Sequence, residues 1–241
     1  MINLIRTRWK DRVRKRLQKR VMNALPIEKL ESMLSKYAPE ESLRSDRTEF
    51  FKYLNINNAV KVNVDRAIRL GLHKEKKPLR VLDLGCGFGW FLFTCQVLGH
   101  DAVGVDIHDE EVPHCRMFAE AMETLGTKRQ VHQVQSDDCL PDLKGKFDWV
   151  TAWQIQFNKT EGGRNDQDDD IKFNERWGPN QWQSLSNAIS EISETQGSQV
   201  YLRLNKPDCW DTWYSPDLLD WFQAQDAEVE GPYIRYCVNA K

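Results

Sequence analysis

Short apolar runs alternate with longer stretches of helical spacing from Pro78 to the end of the chain. The short runs predict buried strands, and the stretches between them have the length and periodicity of helices. This alternation is typical of an α/β fold in which helices cover both faces of a doubly wound, mostly parallel sheet. The last two strands follow one another so closely that we expect them to pair antiparallel. The seven predicted strands are 81–84, 101–106, 130–134, 147–152, 198–204, 226–230 and 233–239, and the helices are 89–98, 110–125, 179–194 and 215–225.

The first 25 residues have a different pattern, that of a basic amphipathic helix. Residues 1–20 hold nine basic side chains and one acid, a charge of +8, whereas the remaining residues carry −10. Such a helix is suited to docking on its own acidic protein, including dimerisation, to an anionic membrane surface, or to RNA phosphates. At 3.6 residues per turn, apolar residues at every fourth position share one broad face. These residues are Ile5, Trp9, Val13, Leu17 and Val21.

Two more helical stretches, 27–37 and 50–72, precede the first predicted strand. We therefore divide the chain into an N-terminal helical extension, 1–77, and a cofactor-binding domain, 78–241. The composition, 40% hydrophobic and 29% charged, is that of a globular protein. The six cysteines form no Cys-x-x-Cys pair and no metal-ligand spacing with the five histidines. We expect reduced thiols, no metal, and a cytoplasmic protein that is peripheral at the inner membrane surface if its basic helix binds lipid.

Val81–Gly89 carries the strongest chemical signal in the sequence. A buried strand is followed by three alternating glycines, and an apolar helix begins after the last of them. A strand, a glycine-rich turn and a helix N-terminus together form a nucleotide-binding element, because glycine lets the backbone approach a ligand closely. A dinucleotide fingerprint would need glycine where Trp90 stands, and the phosphate loop of triphosphatases would need a Lys-Ser/Thr pair that is missing.

The motif Asp83-x-Gly85-x-Gly87-x-Gly89 resembles the first motif of the class I S-adenosylmethionine-dependent methyltransferases. An acid beside the turn suits the cationic amine of that cofactor better than a pyrophosphate. The later motifs follow in the family's order, and the resemblance extends over about two-thirds of the chain, from 78 to 241. It implies a Rossmann-like fold, S-adenosyl-L-methionine as cofactor, and methyl transfer as activity.

The same resemblance implies roles for individual residues. The glycines pass beneath the amino-acid and ribose parts of the cofactor, and the first acid lies near its methionine end. The acid that ends the second strand accepts hydrogen bonds from the ribose hydroxyls, an acid after the third strand binds the adenine amino group, and the fourth strand ends beside the transferred methyl. Asp137 is our first choice for adenine and Asp138 the alternative. The implied cofactor contacts are Asp83, Gly85, Cys86, Gly87, Gly89, Asp106, Ile107, Asp137, Asp138 and Trp153.

The long polar segment 153–179, after the fourth strand, lies where parallel sheets meet their substrates. Its acidic run, 166–170, lacks the glycine and glutamate of an EF-hand loop and predicts a solvated loop. Its aromatic residues, Trp177 among them, either wall a substrate pocket or anchor the loop to the core. No catalytic residue is assigned, although His108 and His114 stand close enough in sequence to be considered as general bases.

The acceptor is narrowed mainly by exclusion. The Asn/Asp-Pro-Pro-Tyr/Phe motif of amino-methylating nucleic-acid enzymes is absent, since Trp153-Gln-Ile-Gln stands in its place. We hypothesise a methyltransferase that acts on a small molecule, a lipid or a surface glycan. Two alternatives stay open: an RNA methyltransferase that uses the basic arm, and a non-catalytic S-adenosylmethionine-binding interaction module.

Overall fold

The computed structural model describes residues 2–37, 55–107, 113–135, 137–155, 157, 176–205 and 213–240, with side chains from residue 11 onward. The helices are α1 (Ile2–Ala24), α2 (Ile27–Tyr37), α3 (Ile56–Arg69), α4 (Trp90–Leu98), α5 (Pro113–Leu125), α6 (Pro179–Glu191) and α7 (Pro216–Ala224), with a 3₁₀ turn at Leu72–Lys74. The strands are β1 (Arg80–Leu84), β2 (Asp101–Asp106), β3 (Lys128–Val131), β4 (Trp149–Ile155), β5 (Ser198–Leu204), β6 (Glu228–Glu230) and β7 (Tyr233–Val238).

The strands form one seven-stranded sheet in the order β3-β2-β1-β4-β5-β7-β6. β4 pairs parallel with both β1 and β5, whereas β7 pairs antiparallel with both β5 and β6. The predicted α/β class with a mostly parallel seven-stranded sheet is confirmed, as is the antiparallel pairing of the last two strands.

Two strand boundaries differ from the sequence prediction. β3 ends at Val131 and not at Val134, and β4 begins at Trp149, two residues after the predicted start. Phe147 instead makes an isolated parallel bridge to Ser193, and the Asp148 carboxylate accepts the backbone N–H of Arg80 at 2.7 Å. The residues before Trp149 are therefore held by loop contacts, and the strand extends further at its carboxyl end.

The described chain divides into two compact units, and the first comprises residues 1–79 and 86–129. Its core is one apolar cluster to which all five helices α1–α5 contribute. Leu17 and Val21 of α1 are buried in this cluster together with Phe88 and Trp90, which flank the last glycine of the motif. The guanidinium of Arg14 also binds the carboxylate of Asp65 on α3, with 2.5 Å between Nε and Oδ1.

The structure thus favours the docking alternative for the described part of the amphipathic helix, because Val13, Leu17 and Val21 are buried against its own chain. The side chains of Ile5 and Trp9 lie outside the described residues. Its basic side chains point outward: Arg12, Lys15, Arg16, Lys19 and Arg20 are all exposed. Among the helices that the structure describes, none is long and apolar enough to cross a membrane.

The second unit comprises residues 80–85 and 130–241. Successive residues of a strand point to opposite faces of the sheet, so each face can be listed from the register. One face is apolar and includes Val150, Val200, Leu202, Ile234 and Tyr236. The ring of Tyr236 lies 6.0 Å from that of Phe222 on α7, and burial raises the pKa of Tyr236 to about 12. The opposite face, here called the polar face, carries Asp83, Thr151, Trp153, Tyr201, Arg203, Tyr233 and Arg235.

Candidate functional site

The glycine motif forms a tight turn between β1 and α4. Gly85, Gly87 and Gly89 have φ angles of +67°, +52° and +86°, all in the left-handed region that disfavours side chains. Gly89 caps α4, and its carbonyl accepts the N–H of Phe93 at 3.0 Å. The alternating glycines thus allow the backbone to reverse and expose main-chain atoms at the beginning of a helix, as the sequence predicted.

Asp106, at the end of β2, is joined directly to this turn. One of its carboxylate oxygens accepts the N–H of Gly87, and the other accepts the N–H of Ile107 at 2.8 Å. The acid that is predicted to bind the ribose therefore lies against the glycine turn. Ile107 itself is exposed, with 48% of its surface accessible.

Gly104 in the middle of β2 is a residue that sequence reasoning missed. A Cβ atom at this position would overlap the Sγ of Cys86 and lie 2.8 Å from the Cδ1 of Leu92. The Cys86 side chain is buried against β2, and its contact with the cofactor stays a prediction. An isolated glycine inside a strand pattern marks such a close approach, and that signal is visible in the sequence.

A Gly104→Ala variant is expected to lose about 1–3 kcal/mol of unfolding free energy, because the added methyl group overpacks the space beside Cys86. It should also bind S-adenosylhomocysteine more weakly, since the glycine turn must shift. Thermal unfolding and calorimetry check both effects. Gly178→Ala is the matched control, because its new Cβ would meet only an ordinary contact of 3.6 Å. Equal behaviour of the two variants would contradict the packing argument.

Asp83 on β1 is nearly inaccessible, at 1% exposure. Its Oδ1 accepts a hydrogen bond of 2.8 Å from the hydroxyl of Thr151, its register partner on β4. Burying a carboxylate is costly unless it is hydrogen-bonded, so Thr151 both stabilises and orients it. Thr151 was not predicted from the sequence, although a hydroxyl within the apolar run of β4 is the signal that could have revealed it.

Asp137 and Asp138 are both exposed, in the loop after β3. The carbonyl of Asp138 accepts the N–H of Gln135 at 3.1 Å and lies 2.9 Å from the Nε2 of His132. Burial, followed by the charges of both aspartates, raises the pKa of the neighbouring Cys139 thiol to about 11, so this thiol stays protonated at neutral pH. The assignment of either aspartate to adenine stays a prediction.

Trp153 is half-buried on the polar face of β4. Its ring centroid lies 6.1 Å from that of Tyr201 and 5.8 Å from that of Tyr233. The pairing register between β4 and β5 shifts between Trp153 and Ile155, an irregularity of the β-bulge type. Bulges are common next to functional sites, where they change the direction of a side chain. The fourth strand was predicted to end beside the transferred methyl group. That end of β4 carries Trp153, which forms an aromatic cluster with Tyr201 and Tyr233.

Residues 55–155 match the model of a family described as a methyltransferase domain. These residues form a methyltransferase domain. The crystal structure of Streptomyces venezuelae DesVI shares the fold of this methyltransferase domain, with a TM-score of 0.52 at 13% identity, over 82% of this chain and 98% of that chain.

Two curated Escherichia coli relatives, both named O-antigen chain terminator bifunctional methyltransferase/kinase WbdD, are 30% identical to the methyltransferase over 80 residues. The alignment covers 33% of this chain and 11% of each relative. This chain therefore matches about one-ninth of the length of those relatives.

The geometry of the methyltransferase domain fits its cofactor, S-adenosylmethionine. The carboxylate of Asp106 accepts the N–H of Gly87 in the turn, as expected of the residue that the resemblance assigns to the ribose. The buried carboxylate of Asp83 suits a cationic amine. When bound, this cofactor supplies a methyl group on a sulfonium, which is already an activated leaving group. The protein therefore has mainly to align the acceptor and exclude water.

A general base for the methyltransferase is not assigned. His108 lies outside the described residues, as does the side chain of His114 at the start of α5. Within the described part of the chain, no three His, Cys, Asp or Glu side chains are grouped to hold a metal ion. The acidic run at 166–170 lies outside the described residues.

Phe157 and Trp177, near the two ends of the long segment that follows β4, contact each other. The N–H of Trp177 donates to the carbonyl of Phe157 at 2.9 Å, and their rings lie 4.9 Å apart. Trp182 of α6 contacts both rings, at 4.8 and 5.5 Å. With 2% of its surface accessible, Trp177 anchors the segment to the core of the methyltransferase. Of the two roles that the sequence left open for Trp177, the structure supports anchoring.

Proposed function

We propose that this protein transfers a methyl group from S-adenosylmethionine to a surface glycan. The observation that carries the transfer is the joining of the glycine turn to Asp106, whose carboxylate accepts the N–H of Gly87 at the position where the resemblance places the ribose acceptor. The choice of a glycan is favoured by the similarity of 80 residues of this chain to the O-antigen chain terminators.

The aromatic cluster at the carboxyl end of β4 and β5 suits this acceptor class. Trp153, Tyr201 and Tyr233 offer ring faces and polar edges, and aliphatic faces of sugar rings pack well on such surfaces. Ligands of parallel α/β sheets bind outside the carboxyl ends of the strands. A hydroxyl acceptor also needs a group that takes up its proton, whereas an amine that is already deprotonated does not.

The test is a transfer assay with methyl-labelled S-adenosylmethionine, purified protein, and a panel of bacterial surface polysaccharides and lipid-linked oligosaccharides. We expect label to enter the saccharide fraction and S-adenosylhomocysteine to form in equal amount. Total RNA is included as a competing acceptor, because the basic arm suggested RNA as an alternative. Asp106→Ala protein is the negative control for transfer.

Each result of the assay has a definite reading. Label in RNA but not in any saccharide would replace the glycan with a nucleic acid. Binding of S-adenosylhomocysteine by calorimetry, without turnover on either acceptor class, would favour the non-catalytic interaction module and overturn the proposal. Label in saccharide that disappears with Asp106→Ala supports it.

A further inference from the structure

One side chain in the aromatic cluster carries a charge for which the described part of the chain shows no ion-pair partner. Arg203 lies near the carboxyl end of β5, directly opposite Trp153 of β4 and Tyr233 of β7 in the sheet register. The centre of its guanidinium lies 5.3 Å from the Trp153 ring centroid and 6.0 Å from that of Tyr233. Among the described residues, the contacts that hold this cation between the two strands are contacts with aromatic rings.

The guanidinium is only partly exposed, and its Nε is buried. Among the described residues, no carboxylate lies within ion-pair distance of Arg203, and its Nε has no hydrogen-bond partner. A buried N–H without a partner costs free energy, and a guanidinium offers its N–H groups in a planar fork that matches an oxyanion. The aromatic rings contact the flat faces of the guanidinium. The N–H groups at its edge remain in position to bind an oxyanion.

The position of the cluster relates this cation to Asp83. Asp83 pairs with Thr151, which lies two residues before Trp153 on the same face of β4. Arg203 therefore shares one face and one edge of the second unit with the acid that the family places near the methionine end of the cofactor. The register shift after Trp153 lies at the same edge.

We infer that Arg203, Trp153 and Tyr233 form an acceptor subsite for a saccharide that carries an oxyanion, either a carboxylate or a phosphate. The rings hold the sugar ring, and the guanidinium edge binds the anionic group by charge-assisted hydrogen bonds. This inference rests on the proposed glycan methylation and adds to it that the acceptor is negatively charged.

Ligand-observed NMR titration tests the subsite without requiring turnover. The probes are glucose 6-phosphate, glucuronate and neutral glucose, each added to the full-length protein in the presence of S-adenosylhomocysteine. We expect at least one anionic sugar to bind about ten-fold or more tightly than glucose, because charge-assisted hydrogen bonds are the stronger class. The two anionic probes distinguish phosphate from carboxylate.

Arg203→Gln should remove this preference and leave the binding of S-adenosylhomocysteine unchanged. Arg203→Lys should restore it only in part, because an ammonium keeps the charge but lacks the planar fork. Arg235→Gln is the matched control: it removes an exposed arginine of the same face, whose guanidinium lies 5.3 Å from the Trp149 ring.

Equal affinity of wild-type protein for neutral and anionic sugars would overturn the inference, as would an unchanged preference in Arg203→Gln. The comparison of neutral and anionic sugars uses wild-type protein alone. The inference can therefore be refuted even if a variant fails to fold. Transfer to neutral glycans with a KM that Arg203→Gln leaves unchanged would refute the charged subsite while supporting the proposed function. Binding of anionic sugars without any methyl transfer would support the charged subsite and refute the proposed function.

Discussion

Asp106→Ala protein is expected to bind S-adenosylhomocysteine about 10- to 150-fold more weakly than the wild type. The carboxylate accepts the N–H of Gly87 and that of Ile107, and the resemblance also makes it the predicted acceptor for the ribose hydroxyls. Loss of charge-assisted hydrogen bonds costs about 1.5–3 kcal/mol, which corresponds to this range. Calorimetric titration measures the change.

Asp101→Ala is the matched control for this experiment, because it removes the exposed carboxylate at the other end of the same strand. That variant should bind the cofactor product with wild-type affinity. Far-UV circular dichroism establishes that both variants keep their secondary structure. An unchanged affinity in Asp106→Ala protein would mean that the ribose is held elsewhere.

The second large effect is expected at the N-terminal helix. Leu17, with 5% of its surface accessible, is buried in the cluster that also holds Phe88 and Trp90. Leu17→Ala should lower the free energy of unfolding by about 2–5 kcal/mol, the range for buried leucines that leave a cavity. Urea unfolding followed by circular dichroism gives the value.

Lys19→Ala, two residues further along α1, is the appropriate comparison. Its side chain is exposed on the basic face, so the variant should stay within about 0.5 kcal/mol of the wild type. If both variants unfold like the wild type, α1 does not stabilise the fold in solution. A loss confined to Leu17→Ala would show that the apolar face of the helix is occupied by its own protein.

The sequence predicted most elements because their patterns were strict. β5 matches its predicted range, and α4 begins within one residue of the prediction, because an apolar run and a glycine mark each of them. β3 was misplaced because Lys128–Gln133 shows little alternation from which to set a boundary. For α1, the periodicity revealed an apolar face but contained no information on what covers that face.

The residues of the candidate site also differ in how well the sequence predicted them. The glycine turn and Asp106 were predictable, because local spacing and chain direction place them together. Gly104 and Thr151 left only local signals, a glycine within a strand and a hydroxyl in an apolar run. The grouping of Trp153, Arg203 and Tyr233 was beyond the sequence, because these residues are 50 and 30 positions apart and only the strand order makes them neighbours.

The contact between Phe157 and Trp177 has a consequence for how the length of this chain can vary. Eighteen residues, 158–175, separate two positions that contact each other and Trp182. Loop-closure entropy rises only slowly with the number of residues between two joined positions, and these positions are held by contacts between described residues. Insertions, deletions or whole exchanges between them therefore need not shift β4 or α6. This stretch could thus diverge among related chains while the described elements on either side of it stay constant.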